Sequence, residues 1–361
     1  MEKRLSHICL SLYALVALTA CTRQSAKNVE AARAMYFWRT DFRLSEEETA
    51  FLHAHNISKI YLRYFDVGVN EAGQVMPNAT VSFTTDTLKD IEIIPTVFIV
   101  ENCLQHNMDS IAQKLVARIL QMNQTHHRGN VKEIQIDCDY THRSRERFYA
   151  FLNEMHSELQ PKGIRLSATI RLHQLAMPPP PVEYGALMIY NTGNVANPNG
   201  RNPILSIEDV APFLKKLDDY PLPLCAAYPI FDWVALYGNK APSQPTPIGE
   251  ETAERRGSLR YLLYGHSLED TTLYKPLEDG KYLVLASRTL PTTIGRDATG
   301  IHLHVGDTIR HWQCEISDIL KVKNAVEKHR SGINNRVILY HLDKQSLNHY
   351  KHEDYEKIFS H

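Results

Sequence analysis

The chain has 361 residues, 40 basic against 41 acidic side chains, and 43% hydrophobic residues. Balanced charge excludes the basic footprint of a nucleic-acid binder, and the apolar fraction excludes a disordered chain. Eighteen histidines and six cysteines are scattered without CxxC or paired metal-ligand spacing, so no metal and no cofactor is expected and disulfide pairing stays open.

Lys3 and Arg4 precede an apolar stretch from Ile8 to Ala20 that closes on Leu18-Thr19-Ala20-Cys21. This is the layout of an export signal over residues 1–20, too short for the roughly 20 apolar residues of a spanning helix. Cys21 is the expected lipidation site and residues 21–33 the tether, which makes the membrane a partner through the lipid anchor at Cys21. No acidic cluster follows Cys21 as a cue for surface display, so the expected place is the periplasmic side of the outer membrane.

From residue 34 to 361, short β-rich runs alternate with amphipathic helical stretches, the pattern of a parallel sheet wrapped by helices. Strands are predicted at 34–40, 59–67, 91–100, 133–140, 165–172, 185–192, 222–231 and 336–343. Between them, Ser45 with Glu48 reads as a helix cap, Asp109 as a helix start, and 144–159, 207–217 and 316–328 as amphipathic helices. Eight such units predict an α/β fold, a (β/α)8 TIM barrel, with residues 232–312 as an insertion after strand seven. An open doubly wound sheet is the competing fold, but no glycine-rich phosphate loop follows any strand.

Asp137 and Asp139 end the fourth strand two residues apart and would share a face, the barrel interior. Two carboxylates so placed suit glycoside hydrolysis, one donating a proton to the leaving oxygen and the other holding the positive charge that develops on the sugar. The alternative is a structural pair that pins loop backbone or binds Arg63 or Arg171. Other strand ends bring Trp38, Arg63, Arg171, Tyr190, Asn191, Tyr228, Asp232, Trp233, Tyr340 and Asp343 to the same end as candidate substrate contacts. Aromatic rings beside amides and carboxylates suit the C–H faces and hydroxyls of an oligosaccharide or polysaccharide.

The segments IQIDCDY, SRERFYAFLNEM, RLSATIRL and RVILYHLD together resemble a bacterial lipoprotein family known as a domain of unknown function, with an architecture similar to glycoside-hydrolase barrels. The resemblance spans most of residues 34–345 and carries no settled reaction. More distantly, Asp137-x-Asp139 is similar to the fourth strand of family-18 glycoside hydrolases, which ends Asp-x-Asp-x-Glu with the glutamate as proton donor. In one register the acid position falls on Thr141; shifted by two, it falls on Asp139, preceded by Asp137 and Gln135. The second register keeps an acid on a shorter arm, and a misplacement of about 1 Å can cost about 100-fold in rate. Hydrolysis with Asp139 as acid, glycan binding without turnover, and an assembly role through residues 232–312 are the three readings that follow. A metal hydrolase built on Asp137, Asp139, His173 and His341 has no supporting spacing.

Overall fold

Eight segments with the inward–outward alternation of β-structure pair in parallel and close on themselves. They are β1 (Ala32–Phe37), β2 (Lys59–Val69), β3 (Glu92–Ile99), β4 (Glu133–Asp137), β5 (Arg165–Arg171), β6 (Tyr184–Met188), β7 (Leu224–Pro229) and β8 (Arg336–Tyr340). In this computed structural model, which describes residues 28–85, 88–238, 258–263, 265–291 and 300–360, each strand pairs with its sequence neighbour and β1 closes the ring by pairing with both β2 and β8. The expected (β/α)8 barrel with an insertion after strand seven is the fold. The expected signal peptide and Cys21 lie outside the described residues. No helix among the described residues is long and apolar enough to cross a membrane.

Outside the ring run α1 (Glu46–Ala54), α2 (Ile111–Thr125), α3 (Arg145–Leu159), α4 (Ile207–Asp218), α5 (Ile316–His329), α6 (Lys344–Leu347) and α7 (His352–Phe359). Ser45 caps α1 as its sequence predicts: its hydroxyl accepts from the Glu48 amide at 3.1 Å while Glu48 accepts from the Ser45 amide at 2.8 Å. The start of α2 lies two residues later than Asp109, after a left-handed Ser110. Among the described residues, two crossovers lack an α-helix. From β2 to β3 the chain turns back as an antiparallel strand, Val75–Asn78, through a turn in which Asn70 accepts from the amides of Ala72 and Gln74. From β5 to β6 there is one 3-10 turn, Leu172–Ala176, before Pro178–Pro181, where missing amide protons forbid a helix.

Period-two alternation gives the barrel interior an unusual polar content. On β4, Glu133, Gln135 and Asp137 point inward, while Ile134 and Ile136 lie in the apolar layer beneath the helices. At the N-terminal end of the strands, Arg336 is fully enclosed and donates to Tyr61 Oη at 3.0 Å and to Tyr184 Oη. Glu133 accepts there from Ser167 at 2.8 Å and from Tyr184. One layer up, Tyr36 donates to Gln135 at 2.9 Å. Asp137 belongs to the layer above, at the C-terminal mouth.

The insertion begins immediately after β7, so it rises from the mouth end. Its antiparallel sheet runs Ser258–Leu262, Asp232–Gly238, Thr308–Gln313, Lys281–Val284, Tyr274–Pro276 in spatial order. Val234, Leu236, Tyr274, Val284 and Ile309 are buried in a small core of its own. Lys281–Val284 is followed by the short strand Arg288–Leu290, and Ile301–Leu303 is parted from Thr308–Gln313 by a turn through Gly306, φ 85°. Tyr237 donates to the Val195 carbonyl at 2.7 Å and Lys281 to Asn199 at 2.9 Å, docking the insertion on the loop after β6.

Candidate functional site

The C-terminal mouth holds a cavity of about 150 Å3 whose wall is Trp38, Phe98, Met188, Tyr190 and Tyr340, with Asp137, Arg171 and Asn191 as its polar edge. β4 and β5 supply the floor. Asp137, the last residue of β4, is 3% exposed and accepts from Thr169 Oγ1 at 2.6 Å and from Arg171 Nη2 at 3.1 Å. Burial pushes the Asp137 carboxyl above its usual range, against the pull of Arg171 and Thr169. Asp139 lies beyond the strand end with its side chain 56% exposed, and accepts from Arg171 Nε. The two aspartates therefore face one guanidinium from different environments: only Asp137 lies in the barrel interior, and both make the Arg171 pairing that the structural alternative named. Burial works against the Arg171 charge, and Asp137 and Asp139 outweigh it, so the guanidinium stays protonated.

Loop contacts hold this floor in place. Gln174 is fully buried; its Nε2 donates to the Tyr140 carbonyl at 3.0 Å while its Oε1 accepts from the Arg171 amide at 2.8 Å. It therefore sets the direction in which the chain leaves both β4 and β5. Thr141, the acid position of the other sequence register, donates to Glu101 at 2.7 Å, and Ser144 donates to the same oxygen at 2.6 Å. Those bonds outweigh partial burial and hold the Glu101 carboxyl below its usual range, so this corner is an ionised clasp rather than a proton donor.

The wall is aromatic. Tyr190 and Tyr340 stack at 5.0 Å between centroids, and Trp38 lies 6.0 Å from Tyr340 and 5.8 Å, edge-on, from Tyr36. Phe231 packs edge-on to both Tyr190 and Tyr340. The Tyr190 hydroxyl and Arg171 Nη1 are buried without a protein partner, which leaves a donor from each side of the cavity free for a ligand. Asn191 takes a left-handed conformation, φ 55°, which asparagine tolerates better than most side chains.

Of the sequence candidates, Asp137, Arg171, Trp38, Tyr190, Asn191 and Tyr340 converge on the cavity, and Asp139 joins them through Arg171. Five candidates do something else. Arg63 is taken by Asp66 at 2.6 Å from Nε and donates to the Trp38 carbonyl at 3.3 Å, so it braces β1. Tyr228 points out of the ring and donates to Asn334 at 2.8 Å, because on β7 it is Ala227 and Pro229 that alternate inward. Asp232 starts the insertion sheet and pairs with His311 at 2.5 Å. Trp233 backs Phe231 at 5.7 Å rather than lining the cavity. Asp343 caps α6, accepting from the Ser346 amide at 3.0 Å, and holds His341 at 3.1 Å. Asp137, Asp139, His173 and His341 do not gather as ligands among the described residues. Phe98, Met188, Thr169 and Gln174 were missed; Phe98, Thr169 and Met188 lie within predicted strands and Gln174 two residues past one, so the signal was strand position, blurred by strand ends read too late.

Cys103, Cys138, Cys225 and Cys314 are all free and buried. No family model and no curated protein matches the sequence. Solved structures do match. The spore cortex-lytic enzyme SleL of Bacillus cereus aligns with TM-score 0.51 at 12% identity over 92% of this chain and 74% of its own. The chitinase of Chromobacterium violaceum aligns with TM-score 0.51 at 14% identity over 91% of this chain and 98% of its own. The fold shared with both is the (β/α)8 barrel. At such identities the likeness is one of fold, and the chemistry has to be argued from the mouth itself.

Proposed function

We propose that the mouth of this barrel binds a glycan and cleaves a glycosidic bond by carboxylate acid catalysis. The observation that carries the reading is the joining of an aromatic cavity to a buried carboxyl that favours its proton, at the end of the barrel where such folds place their chemistry. A cavity of about 150 Å3 suits one sugar ring, stacked against Trp38 or Tyr340 and hydrogen-bonded by Tyr190 and Asn191. Asp139, at the exposed rim, protonates the leaving oxygen once substrate draws it from Arg171, taking the proton that burial favours on Asp137; the Asp137 carboxylate left beneath it steadies the positive charge on the ring. Turnover of an oligosaccharide panel by the purified chain, with Asp139→Asn and Asp137→Asn alongside, tests this. Product release lost in Asp139→Asn with binding retained supports it. Release retained in Asp139→Asn but lost in Asp137→Asn moves the acid to the buried carboxyl.

Binding without turnover is the second reading, and one observation favours it: Arg171 contacts both carboxylates at once and so engages both candidate acids. Tight binding by wild type and both variants, with no product, would select it. An assembly role would draw on Tyr261, Leu277, Leu285 and Val305, exposed apolar side chains of the insertion, but it predicts a sealed mouth, and among the described residues the mouth holds a cavity.

Export and lipidation at Cys21 complete the proposal and are supported by the sequence of residues 1–21. The described chain enters the barrel at the start of β1, on the face opposite the mouth. With a tether of about ten residues, spanning at most about 35 Å, the mouth would then face away from the membrane. Palmitate labelling that persists in Cys21→Ser would refute the anchor.

A further inference from the structure

At the end of the barrel away from the sugar site, the chain brings together three side chains that the mouth does not use. His55 follows the last residue of α1, with its ring 3% exposed between Phe51 and Tyr355. His352 opens α7, and Glu356 lies one turn further along the same face. His55 Nδ1 stands 2.7 Å from Glu356 Oε1, and the two imidazoles lie 4.3 Å apart, tilted by 28°. One ligand atom from each of the three residues falls within 4.8 Å of the others.

We propose that His55, His352 and Glu356 form a binding site for a first-row divalent cation of the zinc type. Two imidazoles and one carboxylate are a donor set that zinc accepts with water as the fourth ligand, whereas calcium and magnesium call for oxygen donors. His55 is fixed by its aromatic neighbours, and His352 is exposed and free to swing its ring toward a shared ion. Arg33 supplies the opposing charge: it donates to Glu356 Oε1 at 2.9 Å, to Oε2 at 3.0 Å and to the His55 carbonyl at 3.0 Å. The ion takes Oε1 together with the rings, while Arg33 keeps Oε2 and orients the carboxylate as outer partners of metal ligands do. A filled site would tie α7 to α1 and so fasten the C-terminal helix to the barrel.

Zinc titration of the purified, untagged chain tests this, read by calorimetry and thermal unfolding, with cobalt as the spectroscopic probe. Wild type should bind one zinc per chain, rise in melting temperature, and give the visible absorption of four-coordinate cobalt, all reversed by a chelator. His352→Ala removes an exposed ligand and leaves the Arg33–Glu356–His55 contacts standing. It should weaken binding by about 100-fold or more, beyond the range of losing an outer partner. Glu356→Gln should weaken it too. No saturable zinc uptake by wild type, or uptake unchanged in both variants and hence borne by other histidines, overturns the site.

Discussion

The two ends of the barrel interior are built from the same materials and do different things. At the N-terminal end an arginine, a glutamate and two tyrosines meet: Arg336, Glu133, Tyr61 and Tyr184. At the mouth an arginine, two aspartates and two tyrosines meet: Arg171, Asp137, Asp139, Tyr190 and Tyr340. The first set is enclosed on every side, with neither Arg336 nor the Glu133 side chain exposed. Glu133 Oε2 and Arg336 Nη2 lack hydrogen bonds there, but each has opposite charge close by: Arg165 at 3.5 Å and Arg336 at 4.0 Å for the first, Glu30 at 3.8 Å for the second. The second set opens on a cavity, with a tyrosine hydroxyl and a guanidinium nitrogen unclaimed. Similar chemistry reads as scaffold where it is closed and as a candidate site where it opens on a cavity.

Substituting the two arginines is the strongest way to break that comparison. Arg336→Met strands the buried Glu133 carboxylate, and removing one partner of a buried pair costs about 3–5 kcal/mol. Urea unfolding should show the loss; a midpoint within error of wild type would mean that the N-terminal layer is not the staple it looks like. Arg171→Met should cost less, about 2 kcal/mol, the scale of hydrogen bonds to charged groups. Asp139 is largely exposed and can rehydrate, and Asp137 can take up a proton. Its larger effect should be on glycan binding, which Arg336→Met leaves intact in whatever fraction remains folded.

A smaller effect, fixed in sign, comes from pH. Burial raises the Asp137 pKa in the fold, so the folded chain holds that proton more tightly than the unfolded chain does. The resulting stability is present in full below the unfolded value, about 3.9, and is lost as pH rises through the native value. The stability of Asp137→Asn relative to wild type should therefore improve between acid and neutral pH. A difference that stays flat or reverses would show that Arg171 and Thr169 dominate over burial.

How far such sites can be read from sequence depends on which force ends each strand. The apolar runs located all eight strands, because period two and turn residues act locally. Except on β2, their C-terminal ends were read too long: Cys138, Asp139 and Tyr140 still look like strand, but Gln174 captures the carbonyls of Cys138 and Tyr140 from another loop. The same overshoot on β8 hid Asp343 as a helix cap: past Tyr340 one last bond, from Leu342 to Tyr36 on the neighbouring β1, holds the chain before Asp343 turns it into α6. Arg336, at the first position of β8, carried no sequence sign of burial, because a charged strand start ordinarily faces water. His55 and Glu356 are 301 positions apart, beyond any spacing rule, and only closure of the ring makes them neighbours.

The finest test sets one aromatic residue at the mouth against one at the other end. Trp38→Leu keeps an apolar wall but removes the flat face that would stack on a sugar. Such contacts are worth about 0.5–1.5 kcal/mol, or up to about tenfold in affinity. Tyr61→Phe removes only the hydroxyl that serves Arg336, a loss of about 1 kcal/mol in stability. Affinity should fall in the first variant with unfolding little changed, and stability should fall in the second with affinity untouched. If Trp38→Leu binds glycan as wild type does, the aromatic wall is packing, and recognition rests on Arg171, Asn191 and the Tyr190 hydroxyl.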